Sequence, residues 1–445
     1  MTLSPFDLAA VFLSLSALIG WLNLRLFRLP PGVAMLLVGL VTTLTLVGVD
    51  RAAPALGIGR AMRQIVQQVD FSAAVLRFML AYLLFAGAMH VDFEALKRRG
   101  WTAAVLATLG VVISAAVIGA GFWLAARWVG VSLSFAWALV FGVLISPTDP
   151  VGVLTALKRT SLVADIRALI EGEALFNDGV GVALFGAALA FAIGGRAVTP
   201  LPIVAQVLLQ AGGGGALGFL AGYLAIQAMR SIDDYGVEVG ITLALATGVY
   251  ALAQALGLSG PIGVVVAGLM LGRHTGHEAM SEQTRRYTRA FWTIVDENLN
   301  GVLFLLVGLE VFALKFDLMA DILALAAVAL IFIGRWASMA GPGVLLSVID
   351  PEIKPGLVAV LTWAGVRGGL SVAMALSLPP SRERSIILAA TYVVVVFSVI
   401  VQSLTLERLI VRLGYGRALA GGDAAAEAES PAGRTVLCSG PASEA

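Results

Sequence analysis

The sequence predicts an all-α polytopic membrane protein with about 13 transmembrane helices arranged as inverted repeats. Of its 445 residues, 59% are hydrophobic and only 13% are charged. A typical soluble domain carries about 25% charged residues. Mean hydropathy is +0.94. Apolar segments of span length recur along most of the chain, so a series of helices crossing a bilayer is the predicted architecture.

Thirteen apolar segments are predicted to span the membrane, most of them about 17 residues or longer. They are 6–24, 31–49, 71–89, 102–125, 134–157, 167–193, 202–229, 237–256, 260–272, 294–314, 319–347, 355–378 and 386–407. The ninth is short and begins at Gly260-Pro261, and the eleventh is long enough to end near Arg335 or to continue as a tilted helix. They are numbered below as the first to the thirteenth span.

Positive charge predicts the orientation of these spans. With the N-terminus outside, the loops after odd-numbered spans carry 18 Lys and Arg residues, and the opposite side carries 8. The positive-inside rule places the richer side in the cytoplasm. The N-terminus is therefore predicted outside and the C-terminus inside. Net charge is only +1, which gives no reason to expect a nucleic-acid partner.

Residues 1–418 are predicted to form the transmembrane domain, and residues 419–445 a short disordered cytoplasmic tail. The tail is rich in small and polar residues and has no apolar pattern. The chain contains no Walker A, His-Glu-x-x-His or Cys-x-x-Cys motif, so ATP-driven transport and zinc chemistry lack support. We expect neither an enzyme nor a bound cofactor. Membrane lipids are the predicted surroundings of the spans.

Two spans carry helix-breaking residues at corresponding places. The fifth contains Pro147 and Pro150, and the twelfth contains Gly365 together with the pair Gly368-Gly369. Proline removes a helix hydrogen bond and disfavours helix at the residue before it. The two spans lie seven apart, and an odd offset reverses orientation, as an inverted repeat requires. Broken helices in corresponding halves indicate the binding site of a transporter.

Two carboxylates lie inside these apolar spans. Asp149 is about 15 residues into the fifth span, and Asp178 is about 11 residues into the sixth from the other side. At about 1.5 Å per residue, both reach the middle of the bilayer. A charge there costs about 3 kcal/mol, which marks both residues as functional candidates. With the Thr148 hydroxyl they offer hard oxygen ligands, so we interpret Asp149, Asp178 and Thr148 as a site for a small hard cation that a proton can also occupy.

Glu173 precedes Asp178 by five residues, which places the two about 140° apart on a helix. Glu173 therefore needs a cation of its own, for which Arg335 and Arg367 are candidates. We favour a structural pair with Arg335. Arg367 lies between helix breaks, where it is placed to offset exposed carbonyl ends of broken helices.

Five motifs in order resemble the bacterial sodium/proton antiporters of the cation:proton antiporter-1 type, the NhaP group, related to the animal sodium/hydrogen exchangers. The resemblance covers roughly residues 10–415. The motifs are SPTDPVGVLTALK, EGEALFNDGVGVALF, LSGPIGVVVAGLMLG, NGVLFLLVGLE and TWAGVRGGLSVAMALSLP. It implies thirteen spans, a dimerisation domain and therefore a homodimer, and a mobile six-helix core in which two broken helices cross.

The resemblance also implies roles for residues. Thr148 and Asp149 match the family's Thr-Asp-Pro motif. Asn177 and Asp178 match its Asn-Asp motif, in which the Asp carries the proton or the cation. Members with Asn-Asp are usually electroneutral, and one fewer carboxylate does mean one fewer proton to displace.

The resemblance further assigns the supporting charges Glu173, Arg335 and Arg367 to their family counterparts. Some members have Ser after this Glu, where this chain has Ala174, which leaves the coordination shell and the choice among Na⁺, Li⁺ and K⁺ open. The expected function is exchange of Na⁺ for H⁺ across the bacterial cytoplasmic membrane. A K⁺/H⁺ antiporter and a passive cation channel are the alternatives.

Overall fold

A computed structural model of the chain describes residues 5–53, 74–91, 93–149, 153, 164–194, 200–274, 281–310, 318–349 and 355–414. Every regular element in these ranges is helical, which confirms the predicted fold class. Nine of the described helices are long and apolar enough to cross a membrane, and three shorter apolar helices accompany them. The predicted tail, 419–445, lies outside the described residues.

The helices are numbered here in chain order. They are α1 Pro5–Leu22, α2 Pro31–Ala52, α3 Leu80–His90, α4 Phe93–Val129, α5 Phe135–Leu144, α6 Ala164–Gly194, α7 Pro200–Met229, α8 Tyr235–Ala255, α9 Gly260–His274, α10 Glu282–Glu310, α11 Leu318–Ile349, α12 Pro355–Trp363, α13 Gly369–Leu376, α14 Arg382–Phe397 and α15 Ser403–Arg412. Each predicted span overlaps one or two of these helices. Short π-helical turns follow α1, precede α3 and join α14 to α15.

The tenth span prediction needs correction at its start. The tenth span was expected at 294–314, but α10 begins at Glu282. Its first turns carry charged residues, which a hydropathy window reads as loop, although backbone hydrogen bonding continues through them. The eleventh span, expected at 319–347, is confirmed as α11 and continues past Arg335 to Ile349. Arg335 therefore belongs to a helix interior and not to the loop residues that set orientation.

The helices pack into two bundles. The broken-helix bundle consists of α4–α6 and α11–α14, which make extensive contacts with one another. The flanking bundle consists of α1–α3 and α7–α10. Packing between the bundles is sparse and involves mainly α6 with α7 and α9, and α13 with α10. The fourth to sixth and the eleventh to thirteenth spans therefore share one bundle, as a seven-span repeat predicts.

Small residues allow the closest helix approaches, as is typical of packing in membranes. A methyl group at Gly142 of α5 would lie 2.7 Å from the Gly119 nitrogen of α4. A methyl group at Gly218 of α7 would lie 2.8 Å from the Gly263 carbonyl carbon of α9. These contacts involve backbone, which cannot move aside as a flexible side chain can.

Gly218→Ala should therefore separate α7 from α9 and destabilise the flanking bundle by about 1–3 kcal/mol. Thermal unfolding of the purified protein in detergent measures the effect. The matched control is Gly212→Ala on the same helix, because Gly212 faces open space. That control should leave stability unchanged or slightly raised. Equal unfolding temperatures for the two variants would contradict the packing assignment.

Candidate functional site

The two helix breaks meet in the middle of the broken-helix bundle. Helix α5 ends at Leu144, and the chain runs irregularly through Asp149. Helix α12 ends at Trp363, and α13 begins only at Gly369. The Asp149 N–H donates to the Val366 carbonyl at 2.7 Å, which joins the two breaks directly. Each break thus satisfies a backbone group that the other has freed from its helix.

Gly368 is what allows the Asp149 side chain to lie at this crossing. A Cβ at position 368 would overlap the Asp149 carboxylate. Gly369 is similarly close to Leu303 of α10, where a Cβ would lie 2.6 Å from Leu303 Cδ1. The glycines of the twelfth span therefore serve close approach as well as interruption of the helix.

A side-chain cross-link joins the fifth-span break to α6. The Asn177 amide donates to Thr148 Oγ1 at 2.7 Å and to Glu173 Oε1 at 3.2 Å. The Thr148 N–H donates in return to Asn177 Oδ1 at 3.3 Å. Asn177 and Thr148 are both buried. These two residues therefore hold the break in place. Neither is among the described residues that line the cavity between the two bundles, which is described below.

Glu173 and Arg335 form a bidentate ion pair. Both guanidinium nitrogens Nη1 and Nη2 contact a carboxylate oxygen at 2.6 Å. Arg335 Nε also donates to the Leu361 carbonyl near the end of α12 at 3.2 Å. The two charged residues are only 2% and 5% exposed. This geometry lets Arg335 connect α6, α11 and α12 while neutralising a buried carboxylate.

Arg367 lies inside the second break and is fully buried. Its Nη1 donates to the carbonyls of Ser146 and Pro147, the latter at 3.0 Å. These carbonyls follow the end of α5, where a helix carries partial negative charge. The guanidinium thus lies beside the exposed carbonyl end of the opposite broken helix.

A cavity of about 80 Å³ lies at the boundary of the two bundles. Asp149 and Asp178 of the broken-helix bundle line one side of it. The Asp178 side chain accepts no hydrogen bond from the described residues, although the residue is only 9% exposed. Among the described residues, no group of three His, Cys, Asp or Glu side chains converges as a metal site would.

The opposite wall contains residues that the sequence analysis did not single out. Asp296 and Asn300 of α10 line the cavity from the flanking bundle, whereas Ser371 of α13 lines it from the broken-helix bundle. A polar pair four residues apart was visible in the sequence, but the tenth span was expected to begin only at residue 294. With α10 beginning at Glu282, Asp296 lies halfway along the helix. Ala174 is buried, and the described cavity walls do not include it.

Two bundles with crossed broken helices and buried carboxylates at their boundary define a secondary ion transporter. The sequence model described as the sodium/hydrogen exchanger, transmembrane family matches residues 13–412. The chain belongs to this family.

Similar proteins agree with that assignment. The Na(+)/H(+) antiporter NhaP of Pseudomonas aeruginosa is 40% identical over 93% of this chain and 98% of its own length. The Na(+)/H(+) antiporter NhaH of Halobacillus aidingensis is 34% identical over 88% of this chain and 93% of its own. The structure of the sodium proton antiporter MjNhaP1 from Methanocaldococcus jannaschii shares the fold, with TM-score 0.69 and 20% identity over 91% of this chain and 97% of that one.

Glu173→Gln should destabilise the protein by about 3 kcal/mol or more, because it leaves the Arg335 charge buried and unpaired. Thermal unfolding in detergent measures this change. Glu282→Gln is the control, since Glu282 also pairs with an arginine, Arg285, but its side chain is 92% exposed. That variant should change stability little.

Removing both charges, in Glu173→Gln combined with Arg335→Gln, should cost less stability than removing Glu173 alone. A double variant that unfolds well below the single variant would show that the pair is not the reason for the effect.

Proposed function

We propose that this chain exchanges a monovalent cation for H⁺ across the bacterial cytoplasmic membrane, with a role in sodium transport and pH homeostasis. One observation carries the proposal. Asp178 is a buried carboxylate without a hydrogen-bond donor among the described residues, and it faces a cavity between two loosely packed bundles. Such a group is stable when it holds a proton or a cation, and the two compete for it.

The cation proposed first is Na⁺. The named relatives are Na(+)/H(+) antiporters, and they span nearly the whole chain. Asp149 and Asp178 provide hard oxygen ligands at the cavity, and the buried Thr148 hydroxyl lies next to Asp149 in sequence. Li⁺ and K⁺ are the competing cations, because carboxylate oxygens serve all three.

The other charges of the site are proposed to be structural. Glu173 is neutralised by Arg335, and Arg367 is held by backbone carbonyls. Asn177 uses its amide to connect Thr148 with Glu173. Asp178 is then the group that binds and releases the proton or the cation. One carboxylate that holds either one H⁺ or one Na⁺ gives an electroneutral one-for-one cycle, with Asp149 as a neighbouring ligand.

Sparse packing between the bundles supports alternating access. The broken-helix bundle carries Asp149 and Asp178. Its movement against the flanking bundle would open the cavity first to one side of the membrane and then to the other. The flanking bundle exposes large apolar side chains on α7, including Leu208, Leu209 and Phe219, which would face lipid or a second protomer in a homodimer. The positive-inside rule places the N-terminus outside and the C-terminus in the cytoplasm.

Asp178→Asn should abolish exchange, because an amide cannot release a proton when the cation binds. The protein is reconstituted into vesicles with a pH-sensitive dye, and Na⁺, Li⁺ or K⁺ is added to an imposed pH gradient. Asp321→Asn on α11 is the control, since Asp321 is a carboxylate that does not line the cavity. Wild-type rates in the Asp178 variant would refute the assignment. Cation flux without proton movement in the wild type would instead indicate a passive channel.

An electroneutral cycle should proceed at the same rate whatever the membrane potential. The same vesicles, clamped with valinomycin and graded K⁺ gradients, test this with Na⁺ as the exchanged cation. Rates should agree within about twofold over 100 mV, although one uncompensated charge would gain about 2.3 kcal/mol from that potential. Steep acceleration by potential would rule out one-for-one exchange while leaving antiport intact.

A further inference from the structure

The cavity has one wall that belongs to the other bundle. Asp149 and Asp178 come from the broken-helix bundle, whereas Asp296 and Asn300 come from α10 of the flanking bundle. A third carboxylate thus lines the same small space from the opposite side of the boundary. The proposed exchange mechanism gives Asp296 and Asn300 no role.

Asp296 is fixed to the flanking bundle. Helix α10 packs extensively on α2 and also contacts α3, α8 and α1, but it touches the broken-helix bundle mainly through α13. The Asn300 amide donates to Asp296 Oδ1 at 3.0 Å, and Asn300 is itself only 5% exposed. The carboxylate is therefore held in one position on α10, from where it lines the cavity.

The Asp178 side chain, across the cavity from Asp296, indicates that the ligand of this space is a cation. Asp178 is nine-tenths buried, accepts no hydrogen bond from the described residues and lines the same cavity. A cation approaching Asp178 enters a space that carboxylates line on both sides. In a space of low dielectric, each further negative charge raises the local concentration of cations.

We infer that Asp296, positioned by Asn300, is a fixed cation-attracting residue that lies between solution and the Asp178 site on one side of the membrane only. The inference rests on the proposed function. Asp149 and Asp178 move with the broken-helix bundle, and Asp296 stays with the flanking bundle. When the bundles shift, Asp178 and its bound cation move away from Asp296. Asp296 therefore helps cations to bind on one side of the membrane and has no effect on binding on the other.

The test is the apparent KM for Na⁺ measured separately on each face. Asp296→Asn is reconstituted and assayed in vesicles of defined orientation, with Na⁺ added to the cytoplasmic face in one set and to the external face in the other. We expect KM to rise about tenfold on one face and to stay unchanged on the other, with kcat within about twofold of wild type.

The matched control is Glu297→Gln, which removes the same charge from the next residue of α10. Glu297 is exposed and does not line the cavity. Its KM should equal that of wild type on both faces. Asp296→Glu keeps the charge and should retain most of the wild-type affinity. Asp296→Ser gives the same test as Asp296→Asn if the latter reduces the yield of folded protein.

Three outcomes decide the matter. A one-sided rise in KM that Asp296→Glu restores supports the inference. An equal rise on both faces would overturn it, because Asp296 would then travel with the site. Wild-type KM on both faces would overturn it as well. The proposed function fails separately, when the wild-type protein itself shows no cation-dependent proton movement.

Discussion

The structure depends on one backbone constraint, the need to satisfy the peptide groups that two broken helices release inside a membrane. The hydrocarbon of the bilayer offers no hydrogen bonds, so protein or water in a protein-lined cavity must supply the partners. The chain meets this need by crossing the breaks, with the Asp149 N–H bonded to the Val366 carbonyl. Arg367 donates to the carbonyls beyond α5. This crossing fixes where Asp149 lies and creates the cavity beside it.

Around that crossing, the buried polar groups divide into those that hold the structure and those that are left for ligands. Glu173 is matched by Arg335, and Asn177 connects Thr148 to Glu173. These groups satisfy one another and make the neighbourhood rigid. Asp178 has no such partner among the described residues. The paired residues therefore keep the site in place, and the Asp178 carboxylate is left to bind the proton or the cation.

Much of this arrangement could be predicted because it follows from local sequence. The prolines of the fifth span and the glycines of the twelfth mark the breaks, and five-residue spacing directs Glu173 away from Asp178 towards another partner. Contacts across distant segments could not be predicted in the same way. The bond from Asn177 to Thr148 joins residues 29 apart, and only tertiary packing brings them together. Asp296 was missed because charged first turns concealed the true start of α10.

The size of the cavity has a consequence for the choice of cation. A space of about 80 Å³ holds only a handful of water molecules. An ion that coordinates the Asp178 carboxylate directly must exchange part of its hydration shell for oxygens of the site. Discrimination then depends on how closely the oxygens of the site replace the lost water for each ion. Because Ala174 contributes no hydroxyl, that replacement falls to carboxylates, the hydroxyls of Thr148 and Ser371, backbone carbonyls and water.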